Sequence, residues 1–172
     1  MLAASGVTLA AGAPVVLAAC GTEEDEDVSP AREAELLNVV LAQQLAVLEA
    51  GRALNPADAT AALGGAIDEL VRQRGDSTQA LDGAITDIGG TPVTEPAELV
   101  GAESAVEGLA RQLETSIAAS LDTIGELSPE QREPVHTAIV EDAGALAELR
   151  VVLGEDPAPD AFVMGPPAEE AA

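Results

Sequence analysis

The stretch PAREAELLNVVLAQQLAVLEAGRAL, residues 30–54, carries the pattern that decides the fold. Leu37, Leu41, Gln44, Leu48 and Gly51 step by four and three along it, the spacing of one helical face. Val40, Val47 and Leu54 form a second stripe, so this helix is apolar on two sides and needs neighbours on both. Ser29-Pro30 precedes it. A serine oxygen can accept from an orphan amide of the first turn, and proline suits the first helical position.

The same grammar recurs downstream. Asn55-Pro56, Thr94-Glu95-Pro96 and Ser128-Pro129 each pair a capping residue with proline, and Ser128 and Gln131 have capping-box spacing. Pro134 offers an alternative start for the last helix. Apolar stripes follow the starts: Ile67, Val71, Arg74, Thr78, Leu81, Ile85 and Ile88, then Val106, Leu109, Leu113, Ile117, Leu121 and Ile124. The last runs Val135, Ile139, Leu146, Leu149 and Leu153. Four such segments without strand-like alternation predict an all-α four-helix bundle over residues 29–154. Gly64-Gly65, Gly75 and Gly83 lie inside the second helix, where they should permit close helix approach or mark a kink. After Gly89-Gly90 the chain either turns back at once or crosses the bundle. Thirteen extended residues (89–101) reach about 40 Å, enough for a full helix length.

Outside the bundle lie three further segments. Residues 1–19 contain no charged side chain, and residues 7–19 are a short apolar run of small residues ending in Leu17-Ala18-Ala19-Cys20. This run is too short and too dilute for a spanning helix, which needs about 20 strongly apolar residues. It resembles a bacterial lipoprotein signal peptide, which implies cleavage before Cys20 and acylation of its thiol. No basic residue precedes the apolar run, so a start upstream of Met1 is expected. Residues 20–28 then form an acidic tether with five consecutive carboxylates, Glu23 to Asp27, and residues 155–172 form an extended tail.

Composition excludes several functions. The chain has 31 acidic residues and 7 basic ones, all arginine, for a net charge of −24. Phosphate backbones and anionic lipid headgroups reject such a surface, so no nucleic-acid partner is expected, and membrane residence must come from acyl chains. One cysteine allows neither an internal disulfide nor a thiolate cluster, and one histidine, His136, leaves nucleophilic catalysis without a base in view.

Three polar residues sit on or beside apolar stripes: Gln44, Arg74 and Glu114. Together with Leu37-Asn38, Gly89-Gly90-Thr91-Pro92 and Asp156-Pro157-Ala158-Pro159-Asp160-Ala161-Phe162, they carry a resemblance to the ferritin-like domains of secreted and lipid-anchored bacterial proteins, over residues 30–165. The resemblance implies a long crossover between the second and third helices. It also implies a di-metal site built from a Glu on each of two helices and a Glu-x-x-His on each of the others. Those positions fall on Gln44, on Arg74 and Ser77, on Glu114, and on Glu141 and Gly144. Two acids survive and no imidazole does.

The expectation is therefore a metal-free bundle without a cofactor, lipid-anchored on the outer face of the cytoplasmic membrane, with a structural or binding role. Arg74 is expected to replace the metal charge by pairing with Glu114, and also with Glu141 should that acid face inward. Two alternatives stand beside it: a di-iron or di-manganese carboxylate protein with non-standard ligands, and a small-ligand binder using a central cavity lined by Gln44, Ser77 and Gly144.

Overall fold

A computed structural model describes residues 28–54, 61–100 and 105–157. Four helices account for most of them: α1 (Pro30–Ala53), α2 (Ala61–Asp87), α3 (Ala105–Ile124) and α4 (Pro129–Leu153). Cys20, the tether, Asn55-Pro56 and the tail beyond residue 157 lie outside the described residues. No described helix is long and apolar enough to cross a membrane.

Local chemistry accounts for the helix ends. Ser29 Oγ accepts from the Arg32 amide at 3.3 Å, as its position before Pro30 predicts. Ser128 caps α4 without a side-chain bond, so the expected capping box does not form, and α4 runs on through Pro134. The Ser128 amide instead donates to Glu33 of α1 at 2.8 Å, tying the start of α4 to the first turn of α1. Gly154, at φ 76°, ends α4 in the left-handed conformation that glycine adopts at no steric cost.

Helix directions follow from which ends meet. Leu36, Leu37 and Val40 near the start of α1 pack with Leu81 and Ile85 late in α2, with Leu127 just after α3, and with Val135 early in α4. At the other end, Val47 meets Leu63 and Ile67 early in α2, Leu109 and Leu113 early in α3, and Leu146 and Leu149 late in α4. So α2 and α3 both run antiparallel to α1, and α4 runs parallel to it. The link from α2 to α3 must therefore travel the length of α1, about 36 Å for its 24 residues. It lies along α1 as it goes. The Asn38 side chain donates to the Thr91 carbonyl at 3.0 Å and accepts from the Val93 amide at 2.8 Å. Further on, the Ala97 amide donates to the Ala42 carbonyl at 2.9 Å. Residues 91–100 are not helical, so Thr94-Glu95-Pro96 opens no helix; its turn residues serve the crossover instead.

Glycine roles also differ from expectation. A Cβ at Gly64, Gly65, Gly75 or Gly83 would meet nothing within 4 Å, so none of these marks a close helix contact. The tightest approach is at Gly90, where a Cβ would lie 2.6 Å from Ala34 Cβ and 2.8 Å from Ile85 Cγ2. There the crossover first presses against α1.

A polar layer between two apolar cores

The two apolar clusters do not merge. Between them lie Gln44 of α1, Arg74 of α2, Ser116 of α3 and Asp142 of α4, each with no exposed surface. Each stands on the inner stripe of its helix. In α3 that stripe is Leu109, Leu113, Ser116, Ser120 and Thr123, stepping by four and three, and Leu127 continues it just past the helix end. In α4 it is Val135, Ala138, Asp142, Leu146 and Leu149.

The four side chains form one network. Arg74 Nη1 donates to Gln44 Oε1 at 2.7 Å. Gln44 turns its amide nitrogen to Asp142 Oδ2 at 2.7 Å and Ser116 Oγ at 2.9 Å. The Ser116 hydroxyl donates to the same Asp142 oxygen at 2.8 Å. Arg74 Nη1 also lies 2.7 Å from Asp142 Oδ1, an ion pair by distance whose angle is too bent for a hydrogen bond. Arg74 Nη2 is 3.3 Å from Glu141 Oε2, which accepts from the Ser77 hydroxyl at 2.6 Å. Burial is the largest influence on Asp142 and pushes its carboxyl above the ordinary 3.8; Arg74, Ser116 and Gln44 oppose that rise.

Gln44, Arg74 and Ser77 are buried on inward faces. Glu141 sits at the rim between α2 and α4, with its side chain 29% exposed. Two expectations fail. Glu114 points to the surface and pairs with Arg150 at 2.7 Å, so it is not the partner of Arg74. Gly144 is exposed, and the centre is filled by the guanidinium, so Gln44, Ser77 and Gly144 do not line a common cavity. Asp142 and Ser116 are the partners that sequence reasoning missed. One step along a helix rotates a side chain by about 100°, and that step separates Glu141 at the rim from Asp142 in the core.

The donor set does not fit a di-metal centre. A guanidinium occupies the layer, and the oxygens around it are the Gln44 amide oxygen, the Asp142 carboxylate and, at the rim, the Glu141 carboxylate. His136 is exposed. Among the described residues no group of three or more His, Cys, Asp or Glu is placed to hold a metal ion. The layer can hold a buried charge in balance; it offers no open coordination position.

No protein-family model matches the chain, and no curated protein does. Among solved structures, it is similar to a ferritin-like, diiron-carboxylate protein from Bacillus anthracis str. Ames. The TM-score is 0.62 at 19% identity, over 70% of this chain and 94% of that one. At that identity the likeness speaks for the architecture alone: the chain is a ferritin-like four-helix bundle.

Proposed function

We propose that this is a membrane-anchored, extracytoplasmic ferritin-like protein whose bundle carries no metal and which holds or binds a partner rather than turning over a substrate. The observation that carries the reading is Arg74. A fully buried guanidinium bonded to Gln44 and beside Asp142 supplies the positive charge that inward-facing acids of such a bundle otherwise take from metal ions. The anchor rests on Cys20 and the Leu17-Ala18-Ala19 box before it, and the acidic tether gives a reason for acyl chains, since a net charge of −24 is repelled by anionic lipid.

Metal analysis of protein purified without chelator tests the first half. Iron and manganese well below one equivalent are expected, and a stoichiometric metal that survives dialysis overturns the reading. Mass spectrometry of the mature N-terminus tests the second. A diacylglyceryl-modified Cys20 is expected at the first position, and a mature chain that retains the Met1 peptide overturns the anchor.

A further inference from the structure

Outside the polar layer, α2 and α4 separate and leave a groove of about 510 Å³. Its floor is small and largely apolar, with Ala80, Gly83 and Ala84 from α2 and Pro134 from α4. Gly83 lines it without a side chain, and a Cβ there would meet nothing within 4 Å. Carboxylates stand at both ends. Ser77 bonds Glu141, which fixes the antiparallel register of the two helices and sets Asp76 and Glu141 at one end. Counting along each helix from there sets Asp87 and Glu133 at the other.

The ends lie eight residues apart on α4 and eleven on α2, or about 12 and 16 Å at the helical rise. They differ in charge balance. Arg72 holds one oxygen of Asp76, and Arg74 and Ser77 hold one oxygen of Glu141, which leaves the second oxygen of each open. Asp87 and Glu133 pair with no cation among the described residues, and no basic side chain lines the groove.

We propose that this groove binds a linear polyamine. One ammonium sits between Asp87 and Glu133, the methylene chain lies on the alanine and glycine floor, and a distal ammonium reaches the open oxygens of Asp76 and Glu141. Each part follows from chemistry. Methylenes gain from leaving water against an apolar floor, and ammonium groups are attracted to unneutralised carboxylates. A compact cation would engage only one end, and an anion would be repelled at both. The site adds a ligand class to the binding role and rests on that reading, since Glu141 at one end of the groove is also held by Arg74 of the polar layer.

Calorimetric titration of the purified full chain with spermine, in about 0.15 M NaCl to screen diffuse attraction, tests it. Saturable binding of one equivalent is expected, with 1,4-diaminobutane and hexylamine each weaker by about tenfold, the factor that about 1.4 kcal/mol supplies. Gly83→Leu fills the groove without touching the core and should weaken spermine by about tenfold or more, as should Asp87→Asn with Glu133→Gln. Glu49→Gln with Asp122→Asn, which removes the same charge elsewhere, should change affinity by less than about twofold. Equal weakening in that control, unchanged affinity in Gly83→Leu, equally tight 1,4-diaminobutane, or no saturation would each overturn the proposal.

Discussion

Arg74 exposes none of its surface, so its charge has to be answered within the bundle. Asp142 answers it at 2.7 Å and is itself fully buried, and the two are joined through Gln44. Removing one member of a buried pair costs about 3–5 kcal/mol, because the other is left as an uncompensated charge. Arg74→Met should therefore lower unfolding free energy by about that amount at pH 7, measured by urea denaturation. The loss should depend on pH. Burial already holds the Asp142 carboxyl above 3.8, and Arg74 is the leading influence pulling it down, so the variant's carboxyl rises further. Over the window between the unfolded and folded values, the folded state carries a proton that the unfolded state lacks. Stability then falls as pH rises through the folded value. The variant's deficit should be smallest near pH 4 and largest at pH 7; a deficit that grows on acidification would mean that Asp142 is not the orphaned group. Replacing the whole layer with Gln44→Leu, Arg74→Met and Asp142→Leu should recover most of the loss, since apolar replacement of a buried ionic set is often neutral or stabilising.

At the scale of elements, the crossover is held to α1 at a few sites, and each has a distinct cost. In Gly90→Ala the new methyl would sit 2.6 Å from Ala34 Cβ, which is rigidly attached to α1 and cannot give way. A loss of about 1–3 kcal/mol is expected, the usual cost of overpacking. Gly83→Ala, on an open helical face, should instead stabilise by about 0.5–1 kcal/mol through helix propensity. Thermal unfolding followed by circular dichroism checks both signs together. The helices themselves are plain in the sequence because apolar spacing and Ser-Pro starts agree for α1 and α4. Asn38, quoted with Gly89-Gly90-Thr91-Pro92 in the family resemblance, proves to be the side chain that clamps Thr91 and Val93. The interior of α3 was not legible. Counting apolar residues selects Ile117, Leu121 and Ile124, yet Leu121 is 53% exposed, while Ser116, Ser120 and Thr123 face inward. Ser116 bonds Asp142 and Thr123 bonds the Ala119 carbonyl at 2.7 Å, which lets these two hydroxyl residues stand inside the bundle. Periodicity scored by hydropathy alone passes over such a face, and that is also why Asp142 was hidden behind the adjacent Glu141.

For the whole molecule, the deciding quantity is the imbalance of 31 acids against seven arginines. Salt acts on it in two opposite ways. Screening weakens exposed pairs such as Arg32 with Glu126 and Arg72 with Asp76, which solvent already attenuates. It also relieves the mutual repulsion of all the unpaired carboxylates, which opposes the compact state. The excess is 24 charges and the described surface pairs are few, so relief should win: raising NaCl from about 20 mM to about 0.5 M should raise the unfolding temperature. Lowering the pH from 7 to 5 should act in the same direction through two routes. One is partial protonation of the acidic surface; the other is Asp142, whose raised value makes the folded state the better proton binder. Salt separates them, because it screens the surface and leaves a fully buried carboxylate almost untouched. At high salt the pH dependence that remains should therefore belong to Asp142 and disappear in the apolar variant of the polar layer. An unfolding temperature that falls with added NaCl would show instead that local ion pairs, and not the net charge, govern the stability of the bundle.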